Sequence, residues 1–387
     1  MRTAIALALF ASSAHAQTCG GPVPAFIEGI KAEAQATGIP RQTADQFFQG
    51  AQIDQAVINA DRSQGVFQKD FLSFSRALIS QNRIDNGRVF SQRHNDTFNT
   101  IEQRFGIPRG VLLAFWAFET DYGQVQGNFN TRNALLTLAH DCRRPELFRP
   151  QLIAAIELFR RGGMDPARTT GAWAGEIGQL QKLPREIVQK GLDGDGDGVV
   201  NLRDSAADAL MTGANVLSSL GWRANEPWLQ EVNLPANLDW SQTGLNNTSS
   251  VGDWAARGVT ARQGNLGPAN LNAAILLPMG RNGPAFLAYP NFDVYFDWNK
   301  SFVYVTTAAY FGTRLEGAQI YNAGQPSAPL SGAQMQNLQQ KLTARGHDVG
   351  GIDGILGAKT RDAVQAEQVR LGLPADAWPT LNLLNNL

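Results

Sequence analysis

One mostly apolar segment reads Ile107-Pro108-Arg109-Gly110-Val111-Leu112-Leu113-Ala114-Phe115-Trp116-Ala117-Phe118-Glu119-Thr120-Asp121-Tyr122-Gly123. Apolar residues fill most of this stretch, at spacings that predict a helix. Pro108 suits a first helical position, and Gly123 suits the end of a helix. The sequence therefore predicts an apolar helix that carries one acid, Glu119, near its carboxyl end.

Glu119 has apolar neighbours on its own face of this helix. Leu112, Phe115 and Trp116 precede it by seven, four and three residues, and such spacings share a helical face. A carboxyl group among these neighbours loses hydration, and the negative end of the helix dipole acts in the same direction, so its protonated form is favoured. That property suits a general acid. A structural salt bridge to a nearby arginine explains the acid equally well, whereas Asp121 lies on another face and suits capping.

The rest of the chain divides by its pattern. Helical spacing of apolar residues continues over residues 24–221 and returns at Phe302–Leu315. Between them, residues 238–310 are richer in Gly and Pro, and short strands are expected at residues 285–290 and 294–296. We expect a mainly α fold with a small β-containing subdomain.

The composition limits the possible functions. Hydrophobic residues make up 43% of the 387 residues and charged residues 17%, which permits a sizeable core and more than one domain. The formal net charge of −1 gives no general attraction to nucleic acid or to an anionic membrane. We expect a monomer without a nucleic-acid partner.

Residues 1–16 have the organisation of a secretory signal peptide. Arg2 precedes a short apolar run, and Ala14-His15-Ala16 forms a small-x-small cleavage motif, so the mature chain is expected to begin at Gln17. The run is too short to span a bilayer, and no later segment is predicted to span one. These features predict a periplasmic protein without a transmembrane segment.

The sequence contains two cysteines, Cys19 and Cys142. In an oxidising compartment an even number favours a disulfide, which here would tie the mature N-terminus to the main domain. Two unpaired buried thiols are the alternative.

Six ordered motifs resemble the membrane-bound lytic transglycosylase B family. Residues 119–123 match its E-T-x-[YWF]-G signature, and the other matches follow in the family's order over about residues 20–320. In chain order the segments are Phe118–Gly123, Leu135–Leu138 with Arg143–Phe148, Gly171–Pro184, Asn215–Trp222, Tyr289–Phe292 and Trp298–Ser301.

The resemblance implies a lysozyme-like helical catalytic domain that cleaves the β-1,4 bond between N-acetylmuramic acid and N-acetylglucosamine in peptidoglycan. Glu119 would protonate the leaving oxygen and then, as a carboxylate, take the proton of the muramoyl 6-hydroxyl, which closes a 1,6-anhydro ring. The reaction would be a lyase step that consumes no water. A muramidase that uses the same acid to deliver water, or a non-catalytic wall-binding protein, are the alternatives.

The resemblance also assigns substrate contacts. Gln181 would hydrogen-bond the sugar near Glu119, and Arg143 and Arg144 would meet carboxylates of the stem peptide. The other residues expected to bind the glycan are Tyr122, Trp173, Asn215, Trp298, Asn299 and Tyr304.

Four positions depart from the family's motifs. Ala172 replaces a common serine, Val216 a common tyrosine and Lys182 an aromatic residue, while Glu176 brings a charge to a position that is usually small. Glu176 is expected to form an ion pair with Lys182 or with one of the paired arginines; a second carboxylate at the site is the alternative.

A calcium-binding loop is predicted at Asp193–Asp204. The segment fits the twelve-residue EF-hand template, with an aspartate in place of the usual glutamate at the last position. The expected ligands are Asp193, Asp195, Asp197, the carbonyl oxygen of Val199, Asn201 and Asp204. The resembling family has an EF-hand-like loop at this place, which implies a structural Ca²⁺ ion and no organic cofactor; an acidic turn without metal is the alternative.

The C-terminal part of the chain is expected to be a separate module. Residues 324–332 form a Pro/Gly/Ser-rich linker between a catalytic domain at 17–323 and a module at 333–387. The module resembles the three-helix type of peptidoglycan-binding domain through its L-Q-x-x-L, D-G-x-[FL]-G-x-x-T and G-L-x-x-D elements. Glu367 stands where an aromatic residue is frequent in that family. Peptidoglycan glycan strands and stem peptides are the expected partners.

Overall fold

A computed structural model describes residues 19–63 and 69–387. The predicted signal peptide, residues 1–16, lies outside them. The described residues form 17 α-helices, seven strands and one 3-10 helix, so the expected mainly helical fold with a small sheet is confirmed. The helices are α1 (Val23–Ala36), α2 (Arg41–Phe47), α3 (Gln55–Arg62), α4 (Phe71–Leu78), α5 (Gln81–Arg93), α6 (Asn95–Phe105), α7 (Arg109–Thr120), α8 (Thr131–His140), α9 (Pro145–Arg160), α10 (Pro184–Lys190), α11 (Ala206–Ser219), α12 (Val251–Ala256), α13 (Pro290–Trp298), α14 (Phe302–Leu315), α15 (Gly332–Ala344), α16 (Ala358–Arg370) and α17 (Leu381–Asn386). The strands are β1 (Phe129–Asn130), β2 (Thr170–Gly171), β3 (Leu229–Asn233), β4 (Thr248–Ser250), β5 (Thr260–Ala261), β6 (Asn272–Leu276) and β7 (Phe286–Ala288), and the 3-10 helix is Trp240–Gln242.

Helix α7 is the central element of the large helical body. Nine of its twelve residues are buried, because α14 packs along it and α5, α6 and α11 surround it. Gly110 permits the close approach of α14, since a Cβ atom there would lie 2.6 Å from the carbonyl oxygen of Gly312. The predicted helix is confirmed, but it ends at Thr120, before Gly123, because Asp121 adopts a left-handed conformation with φ of 51°.

A second group of helices holds the N-terminal part of the chain. Helix α9 packs between α8 and α10 and also contacts α1 and α2. Cys19 and Cys142 are joined by a disulfide across a sequence separation of 123 residues. Strands β1 and β2 form a small antiparallel pair. The chain after Gly171 reaches the end of α7 at Gln179, whose carbonyl oxygen accepts the hydroxyl of Thr120.

The small subdomain contains a five-stranded antiparallel sheet in the order β4-β6-β7-β3-β5. Its own core includes Trp254, Ile275 and Leu287. The strand expected at residues 285–290 is β7, whereas the strand expected at residues 294–296 is wrong because this segment lies in α13. A short apolar run cannot be told from a buried helix by its pattern alone.

The C-terminal helices α15, α16 and α17 have a separate core that includes Leu338, Leu342, Val364 and Leu383. Ser331 and Gln334 form a capping box that begins α15. The three-helix module expected from the sequence is therefore present. None of the helices in the described ranges is long and apolar enough to cross a membrane.

Candidate active site

Glu119 lies one residue before the end of α7, where the chain makes a sharp exit from the helix. Asp121 and Tyr122 have φ values of 51° and 60°, which reverse the backbone within two residues. The hydroxyl of Thr120 donates to the carbonyl oxygen of Gln179 at 2.6 Å. This bond fixes the residue after Glu119 to the loop that follows β2.

Two side chains donate hydrogen bonds to the same oxygen of Glu119. The indole nitrogen of Trp298 lies 3.1 Å from Oε1, and the hydroxyl of Tyr304 lies 2.6 Å from it. Burial, together with the charge of Glu119, raises the pKa of Tyr304 well above its ordinary value, so this hydroxyl keeps its proton and remains a donor. Across the described ranges, no hydrogen bond reaches Oε2 of Glu119, which is thus available to a substrate.

Trp298 is held between an aromatic ring and a cation. Its ring stacks on Phe115 with centroids 4.2 Å apart, and Nζ of Lys182 lies 3.1 Å from its ring centroid. Lys182 is 7% exposed and also pairs with Glu186 at 3.4 Å. Burial lowers the pKa of Lys182, although the nearby carboxylates oppose this effect. Lys182 stands where the family's motif has an aromatic residue, and it packs against the ring of Trp298.

Glu119 lines a cleft with a volume of about 600 Å³. Four of the predicted site residues lie around this cleft, namely Trp173, Gln181, Trp298 and Asn299. The remaining lining residues are Gln151, Ala172, Glu176, Lys182, Leu183, Arg185, Glu186, Gln189 and Lys190. The cleft combines aromatic surfaces with many polar groups, as a site for a sugar polymer requires.

Gln181 lies in a tight turn of the loop between β2 and α10. Ile177 and Lys182 form a backbone bridge, and Gln181 between them has a positive φ of 49°. Its side-chain amide nitrogen donates to the carbonyl oxygens of Gly178 at 2.9 Å and Gln126 at 3.2 Å. These bonds hold the side chain rigidly at the edge of the cleft.

Glu176 is a second carboxyl group in the cleft, and its predicted ion pair is wrong. Lys182 pairs with Glu186 instead, and the two arginines pair with Asp61. Oε2 of Glu176 is buried and, within the described part of the chain, has no hydrogen-bond partner. Burial, reinforced by the charge of Glu119, raises the pKa of Glu176.

Tyr122 and Asn215 are not lining residues of the cleft. Tyr122 is 3% exposed, because the backbone reversal after α7 turns its ring into the core, where its hydroxyl donates to the carbonyl oxygen of Arg83 at 2.7 Å. The side-chain amide of Asn215 donates to the carbonyl oxygen of Lys190 at 2.8 Å and so completes the end of α10. In both residues the side chain bonds a backbone carbonyl oxygen of the fold.

Arg143 and Arg144 contact a buried acid that the sequence did not single out. Asp61 is 1% exposed, Nη1 of Arg143 lies 2.5 Å from its Oδ2, and Arg144 contacts its Oδ1. The side chains of Arg143 and Arg144 remain 48% and 34% exposed, so their outer faces are accessible. Asp61 follows Val57 and Ile58 on the buried face of α3, and an acid at such an apolar spacing was the available signal.

The predicted calcium loop brings three carboxylates together. Ligand oxygens of Asp193, Asp195 and Asp197 lie within 4.8 Å of one another. Two backbone amides, of Gly196 and Gly198, donate to Asp193 at 2.6 and 2.8 Å. The clustered oxygens suit a hard divalent cation.

The carboxyl end of the loop differs from the template. Asp204 lies outside the three-carboxylate group and accepts a hydrogen bond from the side chain of Asn201 at 3.1 Å. Asp208, which the template did not include, is 1% exposed and accepts the amides of Gly194 at 2.8 Å and Asn201 at 2.7 Å. It ties the two halves of the loop to α11.

Comparison with known families gives two matches that together span most of the chain. Residues 23–313 match the family described as Transglycosylase SLT domain. Residues 331–387 match the family described as Putative peptidoglycan binding domain.

Similar proteins include solved structures and one curated enzyme. SltB3 from Pseudomonas aeruginosa, solved in complex with NAG-anhNAM-pentapeptide, is 36% identical, with a TM-score of 0.85 over 95% of this chain and 99% of that chain. The lytic transglycosylase SLT35 of Escherichia coli in complex with calcium is 26% identical, with a TM-score of 0.63 over 80% of this chain and 98% of that chain. Membrane-bound lytic murein transglycosylase B of Escherichia coli (strain K12) is 28% identical over 253 residues, which are 65% of this chain and 68% of that protein.

These matches agree with the order of motifs around Glu119 and with the helical fold that presents it. The resemblance inferred from the sequence is confirmed. The chain belongs to the transglycosylase SLT family and carries a C-terminal domain of the peptidoglycan-binding family.

Proposed function

We propose that the protein is a lytic transglycosylase that cleaves the β-1,4 bond between N-acetylmuramic acid and N-acetylglucosamine in peptidoglycan, with Glu119 as its acid and base. The observation that carries this proposal is the pair of donors on one oxygen of Glu119, at 3.1 Å from Trp298 and 2.6 Å from Tyr304. These two donors fix the carboxyl group. Its other oxygen, Oε2, is then the one that exchanges a proton with the substrate. The relatives include SltB3 from Pseudomonas aeruginosa, solved in complex with NAG-anhNAM-pentapeptide.

In the first step Glu119 donates a proton from Oε2 to the glycosidic oxygen as the bond to the muramoyl C1 breaks. The resulting carboxylate keeps its two hydrogen bonds at Oε1, which stabilise the charge that develops on it. The raised pKa of Tyr304 keeps that donor protonated throughout.

In the second step the same carboxylate removes the proton of the muramoyl 6-hydroxyl, whose oxygen attacks C1 and closes the 1,6-anhydro ring. The proton that left Glu119 is thereby replaced, and no water is consumed. One carboxyl group is sufficient because the substrate supplies the nucleophile.

Substrate contacts follow from the cleft. Trp173 and Trp298 offer aromatic faces to sugar rings, and Asn299 offers a polar group beside them. The side-chain nitrogen of Gln181 is held by two backbone carbonyls, so its oxygen serves as the acceptor for a sugar donor. Arg143 and Arg144 present their exposed faces to stem-peptide carboxylates while Asp61 holds them in place.

The second candidate reaction is hydrolysis by the same acid. The position of Glu176 is the observation that supports this alternative. Glu176 is a buried carboxyl group with an unpartnered oxygen in the same cleft, which is the kind of group that could activate a water. A Glu176→Ala variant separates the two reactions, because it would lower the share of reducing-end products and leave the anhydro products unchanged.

The role of Glu119 is tested by its amide variant. Glu119→Gln cannot transfer a proton and is expected to lose at least about 100-fold in activity on purified sacculi. Asp121→Asn is the matched control, since this neighbouring carboxylate pairs with Arg83 at 3.0 Å and asparagine tolerates its left-handed backbone. Full activity in Glu119→Gln would overturn the assignment.

We also propose a structural Ca²⁺ ion in the loop that begins at Asp193. Asp193, Asp195 and Asp197 would hold it, together with the carbonyl oxygen of Val199 and a side-chain oxygen of Asn201 or Asp204. A related enzyme was solved in complex with calcium. The ion would link the segment after α10 to α11 and would take no part in bond cleavage.

We further propose that the protein acts in the periplasm. A signal peptide at residues 1–16 would export the chain to the periplasm, where peptidoglycan is available and the disulfide of Cys19 and Cys142 is stable. The catalytic domain would span residues 17–323 and the wall-binding module residues 333–387, with the linker 324–332 between them. We expect a monomer.

A further inference from the structure

The C-terminal module is packed against the catalytic domain through a buried arginine of α16. Arg361 is 7% exposed and donates to the backbone carbonyl oxygens of Leu277 at 3.3 Å and Pro278 at 2.7 Å. Its guanidinium carbon also lies 4.4 Å from the ring centroid of Phe302 and 5.7 Å from that of Trp378. A cation in this position joins the module, the sheet subdomain and α14 at one point.

Phe302 lies in the chain between the two residues that hydrogen-bond Glu119. It is the first residue of α14, is 5% exposed, and stands between Trp298 and Tyr304, the two residues that donate to Oε1 of Glu119. The two donors are therefore joined by the segment 298–304. The guanidinium group of Arg361 contacts the ring of Phe302 within this segment.

The first turn of α14 sets the direction of the Tyr304 side chain. The side chain of Ser301 caps this turn by accepting the amide of Tyr304 at 3.4 Å, and its carbonyl oxygen accepts the amide of Val305 at 2.9 Å. A shift of Phe302 would tilt this turn and move the Tyr304 hydroxyl away from its 2.6 Å contact with Glu119. Hydrogen bonds weaken steeply with such displacements.

We propose that Arg361 of the C-terminal module is a positioning residue for the catalytic acid, acting through Phe302 on the donors Trp298 and Tyr304. The module is then part of the support of the active site as well as a wall-binding unit. The inference rests on the proposed function of Glu119, but it also makes a structural claim that can be measured without activity.

Other contacts of the same interface provide the control. Asn246 donates to Asp362 of the module at 2.8 Å. This bond also holds the module to the rest of the chain, but it does not involve Phe302. Asn246→Ala thus weakens the docking of the module without removing the cation from the ring. If the module acts only by being attached, Asn246→Ala and Arg361→Ala should behave alike.

The activity test uses the full chain and soluble glycan strands. Arg361→Ala is expected to lower kcat roughly 3- to 30-fold with KM within about twofold, and Asn246→Ala is expected to keep the wild-type kcat. Arg361→Met, which retains length without the charge, serves if Arg361→Ala does not fold, and it should show the same loss. An unchanged kcat in a folded Arg361 variant would overturn the inference.

A double-mutant cycle tests the route through Tyr304. In a Tyr304→Phe background there is no hydroxyl to misplace, so Arg361→Ala should lower kcat by much less than it does in the wild-type background. Independent, multiplicative losses would show that Arg361 acts by another route and would contradict the proposal.

Hydrogen exchange gives a readout that does not depend on catalysis. Arg361→Ala should accelerate amide exchange in the peptide that contains Tyr304 and Val305, and Asn246→Ala should not. Equal protection in all three proteins would refute the structural claim even if the enzyme were active. Faster exchange together with an inactive wild type would instead sustain the packing claim while the proposed function failed.

Discussion

Removal of the Tyr304 hydroxyl is the most informative single perturbation of this site. Tyr304→Phe retains the ring against Phe118 but deletes the donor that lies 2.6 Å from Oε1 of Glu119. A hydrogen bond to a charged group contributes about 1.5–3 kcal/mol. The hydroxyl donates directly to the acid, so most of this contribution should be lost when Glu119 becomes a carboxylate in the transition state.

The expected result is a loss of roughly 10- to 150-fold in kcat, since each 1.36 kcal/mol corresponds to a factor of about ten. KM should change little. The resemblance placed Tyr304 among the glycan contacts, but in the structure its hydroxyl contacts the acid and the residue does not line the cleft. The assay is the rate of muropeptide release from soluble glycan strands at saturating substrate.

Tyr122→Phe is the matched control for this experiment. The hydroxyl of Tyr122 donates to the carbonyl oxygen of Arg83 at 2.7 Å in the core, so its removal should cost about 1 kcal/mol of stability and leave kcat unchanged. An unaltered kcat in Tyr304→Phe, or a rise in KM alone, would refute the claim that Tyr304 holds the catalytic acid.

Three further predictions concern stability. Burial raises the pKa of Glu176, so ionisation of this carboxyl group destabilises the fold as pH rises above the ordinary range of a glutamate. Glu176→Gln should therefore increase the melting temperature relative to wild type. The increase should be larger at about pH 7 than at about pH 4. Calcium should raise the melting temperature of the wild type, as calorimetry can show, and Asp195→Ala should abolish that increase. Reduction of the Cys19–Cys142 disulfide, which spans 123 residues, should lower the free energy of unfolding in urea by up to about 5 kcal/mol, and an unchanged midpoint would show that the cross-link does not constrain the unfolded chain.

The sequence was sufficient to predict the parts of the site that lie on continuous motifs. The apolar helix before Glu119 and the downstream motifs that contain Gln181 and Trp298 are local patterns, and the fold brings them to one cleft. The clustering of Asp193, Asp195 and Asp197 also follows from a local pattern, since these acids alternate along the chain.

Features that depend on packing between distant segments could not be predicted in this way. The two donors on Glu119 come from residues 179 and 185 positions further along the chain, and nothing in their own segments specifies which oxygen they bind. The inward turn of Tyr122 depends on two consecutive positive φ values, which residue types other than glycine do not announce.

Charged residues were the least predictable. The partner expected for Glu176 was already engaged, because Lys182 pairs with Glu186 and the arginines pair with Asp61. Several acids compete for each cation in this part of the chain, and only the three-dimensional arrangement decides between them. Residues 294–296 show the same limit for local structure, since their apolar run fits a strand and a buried helix equally well.

We propose that the enzyme closes an anhydro ring rather than delivering water. The most direct test of this proposal is mass spectrometry of the muropeptides released from purified sacculi by the wild-type protein in water enriched in heavy oxygen. We expect products that end in 1,6-anhydro-N-acetylmuramic acid, lighter than hydrolytic products by one water and free of the heavy isotope. Products with labelled reducing ends would contradict it.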